Sequence, residues 1–454
     1  MLVLVFAGVF IVIISALTGY IFAQNKLQFA KENREKALHI AEAGLNYYKW
    51  RLAHYPDDLE DGTGESGPYE HAYYDPEGDE IGTFSLEIDG NQQCGSIRSI
   101  DITSTGSSKA DPTLTRVVSA KYARPTIAEY ALILNSNVWS AQQDILGRFH
   151  SNGGIRMDAN NLSLVTSAVS SWTCTSTFGC SPDSTQAGIF GTGNNDLWSF
   201  PKPQIDFAGI TTDLVQMKTL AQSSGVYFAD SGAQGYRIAL NSNGTFDIFR
   251  VDSVTGGNTM YSSQWGWEPE YDTISSETYL QTYTPPADCM LVFVEDKLWL
   301  GGTVAGKLTI ASADLVDPNV ETDVILRSSI DYTTLDGTDG VTVIAEEDIL
   351  IPPDSPDFMT LRGIYIAQTG HFGRNYFATG NGYSSAQAFK NTLTMNGTIV
   401  SNGRTGTKWL CPNYCSGYET RANSYDSTQG ANPPPLTPYT SQDYKFVLWR
   451  EGEL

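Results

Sequence analysis

A chain of 454 residues is long enough for about three domains and a substantial core, and its 28 Lys plus Arg against 51 Asp plus Glu leave a net charge of −23. Such an acidic surface repels phosphate backbones and anionic headgroups, which argues against nucleic-acid binding and suits a soluble, exported body. Abundant Gly, Ser, Thr, Asn and Tyr with little Lys predicts a mainly β protein rich in turns rather than a helical bundle.

The first 25 residues carry no charged side chain, and Leu2 to Ala23 form one apolar segment interrupted only by Gly8, Ser15, Thr18, Gly19 and Tyr20. As a helix this segment spans roughly 33 Å, enough for a hydrocarbon core of about 30 Å. A cleaved signal peptide is the competing reading, but its apolar stretch is usually ~7–15 residues and ends at small residues, which Ala23-Gln24-Asn25 matches poorly. Residues 2–24 are therefore read as a membrane anchor.

From Lys26 the pattern becomes amphipathic. Ala30, Ala37, Ala41, Leu45, Tyr48 and Leu52 share one helical face, with Lys31, Glu35, Glu42 and Lys49 elsewhere on the wheel. Residues 1–53 should form one continuous helix, stopped in the run His54-Tyr55-Pro56-Asp57-Asp58 by proline. After the turn-rich Asp61–Pro68, alternating apolar residues predict strands at Gly82–Asp89, Ile97–Thr103 and Leu114–Tyr122. Residues 54–125 thus read as a small antiparallel sheet packed on the helix.

The stretch Ala37-Leu38-His39-Ile40-Ala41-Glu42-Ala43-Gly44-Leu45, just after an N-terminal apolar helix, resembles the Ala-x-x-x-Ala-Glu-Ala-Gly-Leu segment of the PilX-like branch of type IV pilin-like proteins. The resemblance implies a leader-peptidase-processed subunit whose helix sits first in the cytoplasmic membrane and then inside a filament. Its partners would be other pilin subunits or the pilus assembly machinery. Ala37, Ala41, Glu42, Ala43, Gly44 and Leu45 would be the helix-packing residues, the small ones allowing close approach. Two departures stand out: there is no Gly-Phe-Thr-Leu-x-Glu processing pattern, and the fifth residue is Val5 rather than glutamate. The expectation is either a chain that begins after a missing leader or an anchored relative that never polymerises. Lys26, Lys31, Arg34 and Lys36 all follow the anchor, so the positive-inside rule alone would put the body in the cytoplasm. A basic leader would remove that conflict, and the body is expected outside the cell.

After Pro125, short β-branched or aromatic runs separated by Gly, Asn or Asp recur through residues 126–170 and 285–416. No fixed repeat is visible, yet Trp299–Val304, Leu361–Ile366 and Met395–Val400 share an apolar-x-Gly-x-apolar cadence. The expected architecture is an irregular right-handed β-helix or solenoid-like body, with a β-sandwich as runner-up. Residues 171–284 break the cadence and read as an insertion or lateral subdomain, with a helix near Thr211–Gln222 and strands at Tyr236–Leu240 and Thr245–Val251. Of its aromatics, Trp198, Trp265 and Trp267 are candidate glycan contacts, beside Tyr261 and Tyr271; capping of the β core is the plainer role. Residues 417–454 contain Pro433-Pro434-Pro435-Leu436-Thr437-Pro438 and read as an extended strap. Their Tyr-Asp, triple-Pro, Trp ordering resembles C-termini of the same PilX-like proteins.

Six cysteines permit 15 pairings. The close pairs Cys174/Cys180 and Cys411/Cys415 read as small-loop disulfides, and Cys94 and Cys289 as a possible long bridge. A zinc half-site at Cys411-Pro412-Asn413-Tyr414-Cys415 lacks a second cysteine pair or a His-x-x-x-His. His39, His54, His71, His150 and His371 are dispersed, and no Gly-x-Ser-x-Gly, Walker loop or dinucleotide fingerprint occurs. Acidic runs at Asp331, Asp336, Asp339 and Asp348, and at Asp57, Asp58, Glu60, Asp61 and Glu65, offer carboxylate oxygens to calcium, but neither has EF-hand spacing and solvated loops are the plainer reading. Asp348, Arg362 and Arg374 are the conceivable members of a polysaccharide-cleaving site. Together these features describe a non-enzymatic surface protein, without an expected cofactor: a minor pilus subunit, assembly factor or tip adhesin that meets a surface glycan or host-cell ligand. The alternative is a tethered carbohydrate-binding or carbohydrate-cleaving protein.

Overall fold

The computed structural model describes residues 2–55, 58–141, 144–317, 320, 322–411, 413–441 and 443–452. The protein is mainly β behind one long N-terminal helix. It divides into two compact units: residues 1–92, 96–124 and 443–454 form the first, residues 93–95 and 125–442 the second.

In the first unit, helix α1 spans Leu2–His54, about 80 Å at the usual rise. Pro56 and Asp57, where the helix is expected to stop, lie outside the described residues. Strands β1 (Tyr69–Tyr74), β2 (Glu80–Gln93), β3 (Ser96–Ser108) and β4 (Asp111–Ala123) follow, and the sheet order is β1-β2-β3-β4 with the C-terminal strand Lys445–Glu451 beside β4. That last strand runs antiparallel to β4, with Trp449 opposite Ala120. Residues 417–454 therefore do not act as one strap, since their final strand completes the sheet on which α1 lies. Ile40, Ala41, Leu45, Tyr48 and Leu52 pack with Phe84, Leu86, Ile100, Ile102, Val118, Ala120 and Tyr122. Each large apolar side chain buried there contributes about 1.5–3 kcal/mol.

The second unit is a stack of parallel strands. Val226–Phe228, Leu291–Val294, Lys307–Ser312, Gly340–Ala345, Phe358–Ala367 and Phe389–Ser401 lie side by side in parallel register. The stack continues from Phe389–Ser401 into β5 (Tyr130–Leu134), Arg148–Ser151, Val165–Ser167 and Trp198–Ser199, also parallel. A second parallel ladder joins Tyr236–Leu240, Leu298–Val304, Val324–Tyr332, Ile349–Leu350 and Phe372–Gly373. The result is a solenoid-like body in which the earliest coils of the unit stack on a late strand, Phe389–Ser401.

Register lines up one apolar column through the first ladder: Val226, Val292, Ile310, Val343, Tyr365, Ile399, Leu132, Phe149, Val165 and Trp198. From Val292 to Ile399 successive members lie 18, 33, 22 and 34 residues apart, so the stacking is regular in space and irregular along the chain. That is why no repeat shows in the sequence. The opposite face of the same strands, with Phe293, Ala311, Ile344, Ile366, Val400 and Ile133, is covered by Leu214, Met217 and Ala221 of helix α2 (Phe207–Ser223) and by Leu436. The proline-rich segment lies over the same face, where the Thr309 hydroxyl donates to the Pro435 carbonyl and the Thr342 and Thr437 hydroxyls meet at 2.7 Å.

Residues 171–284 are only partly lateral. Val226–Phe228 and Tyr236–Leu240 join the two parallel ladders, while Phe246–Thr255 and Thr273–Tyr283 form an antiparallel hairpin. Three disulfides, Cys94–Cys289, Cys174–Cys180 and Cys411–Cys415, leave no free cysteine among the described residues.

Candidate functional site

Helix α1 has two faces of different fate. Every described side chain between residues 2 and 29 is exposed, including Phe6, Phe10, Ile11, Val12, Phe22 and Leu27. By length and composition the helix can cross a membrane. Beyond residue 32, Asn33, Ala37, Ile40, Ala41, Leu45, Tyr48 and Leu52 are buried on the unit's own sheet.

The helix-packing residues named from the motif are used inside this chain. A Cβ on Gly106 of β3 would sit 2.2 Å from the Ala37 carbonyl oxygen and 2.4 Å from the Ala41 nitrogen, and one on Gly44 would sit 2.3 Å from the Ser104 hydroxyl. Ala37, Ala41 and Gly44 thus permit helix-to-sheet approach within this chain. Leu45 is buried in the same interface; Glu42 and Ala43 flank it, with Glu42 Oε2 3.3 Å from His39 Nδ1.

A polar cluster closes the lower end of α1. Arg51 Nε donates to Asp58 Oδ2 at 2.7 Å, His71 Nε2 lies 2.6 Å from Asp61 Oδ2, and the Tyr47 hydroxyl donates to Asp61 Oδ1 at 3.1 Å. Burial works to raise the Asp58 carboxyl, but the Glu60 and Gly62 N–H groups and the Arg51 guanidinium outweigh it and hold it below its ordinary range.

In the second unit, the strand Thr259–Ser262 pairs with Gly266–Pro269 and sets Tyr261 opposite Trp267. A β-bridge joins Tyr261 to Tyr376. Tyr261, Trp267, Tyr376 and Trp409 close into a four-ring cluster with centroids 5.3 to 6.3 Å apart. Trp265 and Trp267 remain 53% and 59% exposed. Trp198 is elsewhere, packed beside Val165 with its indole N–H toward Asn161 Oδ1 at 3.4 Å. Tyr376 and Trp409 were missed in the sequence because more than 100 residues separate them from Tyr261, and only strand register brings them together.

The other candidates do not converge. Asp331 accepts from Arg362 Nε at 2.6 Å, Asp336 from Thr334 and Thr338, Asp339 from the Gly306 and Thr334 N–H groups, and Asp348 from the His371 N–H. Among the described residues no group of three or more His, Cys, Asp or Glu is arranged to hold a metal ion. Arg374 is buried and donates to the carbonyls of Pro352 and Gln387, away from Asp348 and Arg362 as partners. His150 bonds Thr166 and Asn152, while the Ser151 hydroxyl donates to the Ser136 carbonyl, so no Ser–His pair forms.

No family model matches the chain, and no curated protein matches it. Among solved structures it is similar to the competence-associated pilin ComZ from Thermus thermophilus, over 92% of this chain and 98% of that chain, at 11% identity and a TM-score of 0.31. A likeness that faint carries no weight for function.

Proposed function

We propose that this chain is a membrane-anchored, pilin-like structural protein of the cell surface, a minor pilus subunit that presents its β-rich body outside the cell. The observation that carries this reading is the division of α1: an exposed stretch over residues 2–29, apolar through Ala23, continuous with residues 33–52 seated on an antiparallel sheet. Such an apolar stalk is stable only against lipid or against other apolar helices. Three disulfides suit an oxidising compartment, and the Ala37–Leu45 motif is the one the pilin resemblance names. The test is shearing of surface filaments from cells that express the chain. Co-purification with the filaments is the expected result; residence solely in the membrane fraction would overturn the subunit role and leave an anchored assembly factor or tether.

A second reading, a tethered carbohydrate-binding module, is favoured by the exposed rings of Trp265 and Trp267 beside the four-ring cluster. Loss of cell or glycan adhesion on Trp267→Ala, with filament assembly intact, would support a tip-adhesin role.

A further inference from the structure

Inside its stack, short of the terminal Trp198, the apolar column of the second unit opens at one place. Val292, Ile310, Val343, Tyr365, Phe149 and Val165 are fully buried, but their stacked neighbours Ile399 and Leu132 are only partly so. The cause is a change of partner along the strand Phe389–Ser401. Residues 389–396 pair with Gly417–Ser424, whereas Ile399–Ser401 pair with Leu132–Leu134. Two strands diverge from one, and a wedge opens between them, the situation in which open sheets form ligand crevices.

A cavity of about 650 Å³ occupies that wedge, within the usual size range for small-ligand sites. Leu132, Ile145, Leu393, Met395 and Ile399 give it aliphatic walls, and Trp409 connects it to the aromatic cluster. Charge on its lining is opposite to that of the molecule. Arg374, Arg404, Lys408 and Arg421 are there against, among the described residues, the single carboxylate of Asp144, in a chain of net charge −23. Arg404 lies over the Phe178 ring at 5.6 Å, and Lys408 donates to the Glu419 carbonyl oxygen at 2.8 Å; among the described residues neither is paired with a carboxylate. Elsewhere in the unit Lys297, Arg237 and Lys218 each have one, whereas Lys307, Lys390 and Arg374 donate to amide or carbonyl oxygens.

We propose that this cavity binds an acidic amphiphile, a small molecule with an apolar body and one anionic group. The body lies along the aliphatic walls, and the anion meets Arg404 and Lys408. The proposal is independent of how the chain is anchored.

The test uses the full chain in non-ionic detergent, titrated calorimetrically with 4-phenylbutyrate, decanoate and 1-anilinonaphthalene-8-sulfonate, with neutral 4-phenylbutyramide as control. At least one of the acids should bind saturably, 4-phenylbutyramide about ten-fold or more weaker than 4-phenylbutyrate, and the R404E/K408E double variant should lose affinity by a similar factor. Ile399→Trp, which fills the cavity and leaves both cations in place, should abolish binding. Absence of saturable binding by all three acids, equal binding by the amide, or unchanged binding in both variants would overturn the proposal. So would galacturonate binding as tightly as the apolar acids, which would assign the site to saccharides.

Discussion

Gly106 marks the closest approach of sheet and helix in the first unit, because main-chain atoms of Ala37 and Ala41 occupy the space a side chain would need. Backbone cannot rotate out of the way as a flexible side chain can. Gly106→Val should therefore destabilise this unit by about 1–3 kcal/mol or more, seen as earlier thermal loss of its sheet signal and faster proteolysis of α1 beyond residue 32. Unchanged melting would disprove the close packing. Glu270 is a different kind of residue-scale device. It is buried, and its carboxyl is pushed up to about 7, first by burial and then by the nearby charge of Asp272. A folded-state value above the unfolded one means the native protein holds the extra proton between about pH 4.5 and 7, so stability falls as pH rises through that window, by up to about 3 kcal/mol. Glu270→Gln keeps an oxygen to accept from the Asp272 and Thr273 N–H groups, and it should flatten that slope and raise the melting temperature at pH 8. A slope identical to the parent's would remove Glu270 as its source.

Among the elements, the C-terminal strand Lys445–Glu451 has the clearest consequence. It covers the edge of β4, and its approach brings Tyr444 and Phe446 against the Tyr122 ring at 5.2 and 5.7 Å. Removing residues 443–454 would uncover the N–H and C=O groups of Val117–Ala123 and leave the whole β4 edge unpaired. The truncated chain should self-associate in a concentration-dependent way in light scattering, whereas a monodisperse, equally stable product would contradict this edge role. Periodicity in the sequence located α1, β2, β3 and β4 to within a few residues because each carries its own pattern of burial. It did not reveal β1, whose Tyr-Glu-His-Ala-Tyr-Tyr has weak alternation, or the partner of the last strand, since residues 417–454 read as one extended strap and nothing local in Tyr444–Trp449 names β4. The aromatic site was half legible: Trp265 and Trp267 stood out, and Tyr376 and Trp409 did not.

Across the whole molecule, the bridge Cys94–Cys289 spans 195 residues while Cys174–Cys180 spans six. Chain-entropy reasoning gives the long closure the larger effect, about 5 kcal/mol against roughly 2 for the short loop. Cys94→Ser/Cys289→Ser should lower the denaturation midpoint of the second unit more than Cys174→Ser/Cys180→Ser does; the reverse order in urea titration would refute that ranking.

The apolar start of α1, its amphipathic continuation, the acidic composition and the abundance of β-structure belong to the sequence alone, because hydropathy and periodicity act over neighbouring residues. Tertiary structure decided the rest. The parallel stacking of coils, the return of the last strand to the first sheet, the direction faced by Ala37, Ala41 and Gly44, and the cavity where Ile399 meets Leu132 all depend on pairings between distant segments. Connections of 18 to 34 residues between stacked column positions erase any repeat from the sequence, and such non-local contacts are selected by the packing of the folded chain as a whole.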